Sequence, residues 1–310
     1  MEKLITADEV KDVLQYDRLI DVMEKALVLF SKKNVVQPVR TVLPVKKEGG
    51  FFGVMPSVCE DSDILGVKLV TFFPNNTQRY GVATHNAVIV MFEIKTGLPK
   101  AIMDGEIITT MRTAAVSAVA TKYLAPSGTR KLAILGAGVQ ARSHYHALSK
   151  LQKFEEITVW SRTFDSAKKC ADEIGGVACH TAEEAVKDAD VIVTVTAATT
   201  PILELKWVKP TAHINAVGAC QPDWQEISPE LMRSSVLYVD SKEAAVRESG
   251  DVILSKAEIY SELGEMISGE KEARRESLTI LKSLGMAIED SMAGQLVLDL
   301  LNEKSHQSKY

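Results

Sequence analysis

One stretch constrains this chain more than any other: Arg130-Lys131-Leu132-Ala133-Ile134-Leu135-Gly136-Ala137-Gly138-Val139-Gln140-Ala141. A short apolar run ends in Gly-x-Gly-x-x-Ala and passes directly into a helical pattern. This predicts the strand, tight turn and helix that open a dinucleotide-binding βαβ unit. Gly136 permits the turn, Gly138 lets the backbone approach a diphosphate, and the small Ala141 lets helix and strand pack closely. The phosphates are expected on the unpaired N–H groups at the helix N-terminus, where the dipole is positive.

The bulk properties exclude several classes. The chain has 310 residues, enough for two domains, and a net charge of −5 without a basic block. Neither nucleic acid nor an anionic membrane is therefore an expected partner. No apolar run approaches the ~18–20 residues that span a bilayer. The first six residues contain no long apolar segment of the secretory kind. Cys59, Cys170, Cys179 and Cys220 are scattered without a Cys-x-x-Cys pair, which suits a reducing cytoplasm. No metal is expected, because the histidines lack ligand spacing. His144 and His146, two apart, leave a helix on different faces.

Taken in order, residues 6–33 read as two helices. Thr6 and Glu9 form a capping box, and Leu19, Ile20, Met23, Ala26, Leu27 and Phe30 mark one apolar face. Residues 35–45, 51–58, 64–73, 87–94 and 98–103 read as strands, separated by turns such as Lys47-Glu48-Gly49-Gly50. Together they predict a strand-rich, antiparallel module. A polar loop, residues 74–81, delivers Thr84 and His85 to the next strand. Residues 109–125 read as a helix rich in Ala, Ser and Thr that links two domains.

Three cations stand out. Arg40 and Lys68 lie within apolar strands, where a buried unpaired charge is costly. Singly, each is expected at an outward strand position. Arg112 is expected in the first turn of its helix, where it opposes the dipole and is better explained by a bound anion than by helix stability.

From residue 130 to 240 strand and helix alternate, predicting a Rossmann-type doubly wound parallel sheet. The predicted fold class is thus α/β, with this sheet joined to a strand-rich α+β substrate and dimerisation domain. Residues 1–112 and 287–310 form the latter, discontinuous, and 113–286 the dinucleotide-binding domain. After the second strand comes Trp160-Ser161-Arg162-Thr163. The carboxylate expected for an adenine-ribose 2′-hydroxyl is absent, and an arginine among hydroxyls suits a 2′-phosphate. Asp165 reads as a helix-start residue. NADPH is expected in preference to NADH.

Several separate motifs then share one resemblance. These are Gln37-Pro38-Val39-Arg40-Thr41-Val42, Lys68-Leu69-Val70-Thr71-Phe72, Met103-Asp104-Gly105, Arg112-Thr113-Ala114-Ala115-Val116-Ser117-Ala118 and the glycine turn. Later come His213-Ile214-Asn215-Ala216-Val217-Gly218, Glu248-Ser249-Gly250-Asp251 and Lys282-Ser283-Leu284-Gly285-Met286. Over nearly its full length the chain resembles the ornithine cyclodeaminase/mu-crystallin family, and looks most like its NADPH-dependent ketimine reductases. The resemblance implies a homodimer formed through the strand-rich module. It implies an active site in the cleft between modules, where Arg40, Lys68 and Arg112 converge on a substrate carboxylate and its adjacent nitrogen, with Glu248 in the ligand pocket. It matches Thr84, His85, Gly136, Ala137, Gly138, Val139, Gln140, Ser161, Arg162, Thr163, Thr196, Val217 and Ser283 to cofactor contacts.

One departure bears on the reaction. The family's cyclodeaminases carry a catalytic aspartate two residues after the glycine of a strand-end Val-Gly motif. Counted from Gly218, that position is Cys220, and Asp223 is no clear substitute. The expected activity is therefore NADPH-dependent reduction of small cyclic imino acids, with Lys68 and Arg112 as catalytic residues. The alternatives are an ornithine cyclodeaminase-type lyase and an alanine dehydrogenase-like enzyme. A third is a non-enzymatic crystallin or thyroid-hormone binder, roles that family members also serve.

Overall fold

The computed structural model describes residues 3–307. The chain divides into two compact units. One runs to Arg112 and resumes at Met286, and the other is Thr113–Gly285.

The first unit opens with β1 (Lys3–Ile5), α1 (Ala7–Val13) and α2 (Tyr16–Ser31). The capping box at Thr6 and Glu9 is formed, and the apolar stripe of α2 is buried from Leu19 to Leu27. Then come β2 (Thr41–Val45), β3 (Gly50–Cys59), β4 (Ile64–Phe72), the short helix α3 (Asn76–Tyr80), β5 (His85–Phe92) and β6 (Pro99–Asp104). The six strands form one sheet in the order β1-β6-β5-β4-β3-β2. Pairing is antiparallel from β2 through β6, but β1 lies parallel to β6. The sequence reading missed β1, because three residues carry too little alternation to register.

Residues 35–40 also depart from expectation. Only Val36 bridges to the sheet, pairing with Val58, and the regular strand begins at Thr41. Pro38 lacks the N–H that a ladder needs. Arg40 thus precedes the strand.

Helix α4 (Glu106–Leu124) carries the chain across the boundary between the units. It begins three residues before the predicted start. Asp104 Oδ1 accepts the N–H of Ile107 at 2.8 Å, supplying a cap that β-branched Ile107 and Ile108 obscured in the sequence.

The second unit alternates β7 (Lys131–Leu135), α5 (Val139–Leu148), β8 (Glu156–Trp160), α6 (Phe164–Ile174), β9 (Val177–Ala178), α7 (Ala182–Val186) and β10 (Val191–Thr194). It continues with β11 (His213–Ala216), α8 (Pro229–Ser234), β12 (Val236–Val239), α9 (Lys242–Glu248), α10 (Gly250–Ser255), β13 (Ile259–Glu262), α11 (Leu263–Ile267) and β14 (Thr279–Lys282). All eight strands are parallel, in the order β13-β12-β14-β11-β10-β7-β8-β9. Strands β7, β10 and β11 are buried throughout or nearly so, as expected where helices cover both faces. Strand order reverses beside β7, and the crevice at the carboxyl ends there is where such sheets take ligands. Strands β13 and β14 went unread in the sequence.

The chain returns to the first unit in α12 (Ala287–Gln307). Residues 287–294 are buried on every side, so this end shows no amphipathic stripe. Small residues let it approach the sheet. A Cβ on Gly66 of β4 would lie 2.8 Å from Ser291 Oγ, and one on Gly294 would lie 3.2 Å from the Met103 sulfur.

Candidate functional site

Two polar centres stand out, one in each unit. The first is built on β4. Alternation along that strand puts Ile64, Gly66, Lys68 and Val70 on one buried face. Lys68 is therefore carried inward by period two, contrary to the outward position expected for it alone. It is 2% exposed, and its Nζ lies 2.6 Å from Asp290 Oδ2. Arg112 is also buried. Its Nε donates to Asp290 Oδ1 at 2.9 Å and its Nη1 to Glu289 Oε2 at 2.8 Å. The anion inferred for Arg112 is thus supplied by the protein itself. The dipole argument also falls away, because Arg112 is the seventh residue of α4 and the terminal field fades within the first turn.

Glu289 and Asp290 occupy the first turn of α12, where the helix dipole favours carboxylates. Glu289 Oε2 also accepts the Met286 N–H at 3.1 Å, and Gln37 Oε1 accepts the Ile288 N–H at 2.9 Å. The sequence reading assigned Glu289, Asp290 and Gln37 no role. Three cations inside an apolar module do, however, call for counter-charges, and an acidic pair opening a buried helix is the only such signal in that stretch.

These contacts set the local electrostatics. Burial lowers Lys68 to about 8, with Asp290 pulling it up and the charges of Arg112 and Arg40 pushing it down. Arg40 thereby belongs to the same electrostatic neighbourhood. Burial alone would raise Asp290, but Arg112 and Lys68 hold it below the usual carboxylate range. His85, at the start of β5, is lowered to about 4 by burial and by Lys68 and Arg112, so it is neutral at physiological pH. Thr84 lies beside His85, its carbonyl accepting the Phe73 N–H.

The second centre lies at the carboxyl ends of β7, β8 and β10. A cavity of about 530 Å³ is lined by residues 136–138, 160–163 and 195–200, with Ser166 and Ile202. Gly136 has φ 122°, and a Cβ there would sit 2.7 Å from Val195 O. Only glycine suits that turn. Nothing lies within 4 Å of where a Gly138 Cβ would be, and no side chain caps α5 at Gly138. Gly138, which caps α5, thus lines the cavity with no side chain over it, an arrangement that suits a phosphate at the helix N-terminus. Arg142, which the sequence reading passed over, donates to Ala137 O at 2.9 Å and Gly138 O at 3.1 Å and pairs with Glu173 of α6. It ties the carbonyls of the turn to the body of α5.

Ser161, Arg162, Thr163 and Ser166 form the far wall, and none of them is a carboxylate. Asp165 lies in the first turn of α6 and is not part of the lining. The residues present fit a dinucleotide bearing a 2′-phosphate. Gly136, Ala137, Gly138, Ser161, Arg162, Thr163 and Thr196 of the expected contacts line the cavity, while Val139, Gln140, Val217 and Ser283 do not. Val139 is exposed at the start of α5, and Ser283 is buried, donating to Asp240 Oδ2 at 3.3 Å. Glu248 closes α9, half-buried.

Behind this cavity lies a buried charge cluster. Both oxygens of Glu226 accept hydrogen bonds, from Thr196 N at 2.6 Å, Thr196 Oγ1, Thr194 Oγ1 and Gly218 N at 2.7 Å each. Asp251 Oδ1 accepts the N–H groups of Glu226 and Ile227, and Asp251 Oδ2 lies 3.2 Å from Lys282 Nζ. Burial raises Glu226, opposed by Lys282; burial would lower Lys282, but Asp251 and Glu226 raise it. At the position of the cyclodeaminase aspartate, Cys220 Sγ contacts Gly218 O at 3.3 Å, and Asp223 is exposed. His144, by contrast, is a buried structural residue held by Ser117 Oγ and Gln140 O. Among the described residues no His, Cys, Asp and Glu group is arranged to hold a metal, and no helix is long and apolar enough to cross a membrane.

Comparison with known proteins agrees with this geometry. The model of the ornithine cyclodeaminase/mu-crystallin family matches residues 1–305. Ketimine reductase mu-crystallin of Rattus norvegicus is 52% identical over 301 residues, covering 95% of this chain and 96% of its own. The structure of Thermococcus litoralis Delta(1)-pyrroline-2-carboxylate reductase in complex with NADH and L-proline superposes with a TM-score of 0.93 at 35% identity, over 97% of this chain and 98% of that one. An archaeal alanine dehydrogenase dimer with bound NAD gives a TM-score of 0.91 at 29% identity, over 98% and 97%.

Proposed function

This chain belongs to the ornithine cyclodeaminase/mu-crystallin family, and from that premise we propose that it reduces cyclic ketimines to cyclic amino acids, with NADPH as the hydride source. The substrate is a small ring imine whose C=N carbon bears a carboxylate. The observation that carries the reading is the buried cluster in which Lys68 of β4 and Arg112 of α4 are held by Glu289 and Asp290 of α12, with Arg40 in the same electrostatic neighbourhood.

In this reading Arg112 and Arg40 bind the carboxylate. Arginine suits the task because its planar fork matches two carboxylate oxygens. Glu289 and Asp290 fix the plane of the Arg112 guanidinium before substrate arrives, so little reorganisation remains. Lys68, held by Asp290 and titrating near 8, is poised to give a proton near neutral pH. Its ammonium keeps the ring nitrogen protonated, which makes the C=N carbon electrophilic. NADPH, when bound, supplies the hydride that this carbon accepts, and the C=N pair becomes CH–NH. His85, neutral, adds no competing charge.

Gly136, Ala137 and Gly138 with the N-terminus of α5 would hold the diphosphate, and Ser161, Arg162 and Thr163 the 2′-phosphate. Thr84, His85, Val139, Gln140, Thr196, Val217 and Ser283 are proposed as further cofactor contacts, and Glu248 as part of the ligand pocket. Reduction is favoured over cyclodeamination by the thiol of Cys220 where the lyase needs a carboxylate for proton transfer. A homodimer is proposed by analogy with the archaeal alanine dehydrogenase. The test is imine-dependent oxidation of NADPH, with the cyclic amino acid identified as product.

A further inference from the structure

Two facts about the ends of β10 and β11 need a common explanation. Thr196 and Gly218 stand just past these strands, at the carboxyl edge where the parallel sheet takes ligands. Both direct their backbone N–H groups at one side chain, Glu226, which is itself fully buried. A Cβ on Gly218 would collide with Thr196 O and with Glu226 Oε1, so the two strand ends are drawn together around this carboxylate.

The hydroxyl of Thr196 is the informative group. It donates to Glu226 Oε1 at 2.7 Å, which commits its only proton. It also receives the Ala198 N–H at 3.2 Å. An oxygen whose proton is so committed can only accept, and Thr196 lines the cavity. The side chain that faces the cavity is therefore set as an acceptor, suited to an amide N–H or a ribose hydroxyl. Glu226 is in turn fixed through its own N–H by Asp251, which Lys282 at the end of β14 neutralises. Nothing in the imine-binding cluster uses this network.

We propose that Glu226 is a positioning residue for the dinucleotide: it holds the ends of β10 and β11 at fixed spacing and sets the Thr196 hydroxyl as an acceptor toward the cofactor's nicotinamide half. The proposal rests on the reading of the cavity as the NADPH site.

Three variants test it by NADPH fluorescence titration and steady-state kinetics on the whole protein. Glu226→Gln replaces one acceptor oxygen with an amide that meets two donors whichever way it turns. It should weaken NADPH about tenfold or more and raise the KM for NADPH, with a much smaller change in the KM for imine. Thr196→Val should weaken NADPH comparably, and Thr196→Ser, which retains the hydroxyl, should restore it. The Glu226→Gln/Thr196→Val double variant should be little worse than either single one, because both remove the same oriented acceptor. Should Glu226→Gln fail to fold, the contrast between Val and Ser at position 196 carries the test. Native NADPH affinity in Glu226→Gln, or a Thr196→Val that binds as well as Thr196→Ser, overturns the proposal. Arg162→Ala keeps the two readings apart. If it weakens NADPH while the Glu226 and Thr196 variants do not, the cavity assignment stands and the role of Glu226 falls. If none of them weakens NADPH, the cavity assignment itself falls.

Discussion

Lys68 Nζ and Asp290 Oδ2 lie 2.6 Å apart with both side chains buried, one on the inner face of a central strand and the other in the first turn of the last helix. Asp290 shares its second oxygen with Arg112. One carboxylate thus sets the position of two cations and the proton affinity of one of them.

A pH dependence follows. Lys68 titrates near 8 rather than at its ordinary 10.5. Between these values the folded protein binds fewer protons than the unfolded chain, so this group's contribution to stability rises with pH across that window. Activity runs the other way, because the proton donor is lost. kcat/KM should fall above about pH 8 in one ionisation. Asp290→Asn removes an interaction that raises Lys68, so the basic limb should move to lower pH. A limb that stays fixed in this variant would belong to the imine and not to Lys68.

Arg112→Met should destabilise the protein. It leaves Glu289 and Asp290 buried without the guanidinium, a loss of about 3–5 kcal/mol for a broken buried pair. The melting temperature should fall by several degrees in calorimetry. kcat/KM on ketimines should drop by roughly 30-fold or more. Unchanged melting would mean that the ion pairs are not formed in solution.

Arg162→Ala should weaken NADPH by roughly 10- to 150-fold, the loss of one charge-assisted contact, and leave NADH nearly unchanged. Equal weakening of both cofactors in parallel titrations would remove Arg162 from the 2′-phosphate.

Gly136→Ala should abolish NADPH binding. Its φ of 122° strains any other residue, and the added Cβ meets Val195 O at 2.7 Å. The turn must shift, and the N–H groups that meet the diphosphate shift with it. Native-like binding in an isothermal titration would contradict the turn's role.

What the sequence made legible and what it hid have a physical basis. The glycine turn and Arg162 could be read because their chemistry is local: strand, turn, helix and the next strand end follow at fixed spacing. The parallel sheet could be read for the same reason, by alternation of short apolar runs with helices. Arg112 could not be given a partner, because it and Asp290 are 178 residues apart and meet only through the packing of α12 on the sheet, and the same packing brings Asp290 to Lys68. For helix α12 the sequence offers Leu296, Val297, Leu300 and Leu301 as an apolar side, but residues 287–294, buried all round, carry no stripe that announces which face is inward. Glu226 escaped notice because its partners, Thr194, Thr196 and Gly218, come from the ends of two strands that only the fold makes neighbours.

The most direct test of the account is NADPH oxidation against five- and six-membered cyclic ketimines bearing a carboxylate, with ornithine, and pyruvate plus ammonia, assayed alongside. The account predicts oxidation of one NADPH for each cyclic amino acid formed, and no release of ammonia from ornithine. Conversion of ornithine to proline and ammonia without net cofactor turnover, in the absence of any imine-dependent oxidation of NADPH, would contradict it.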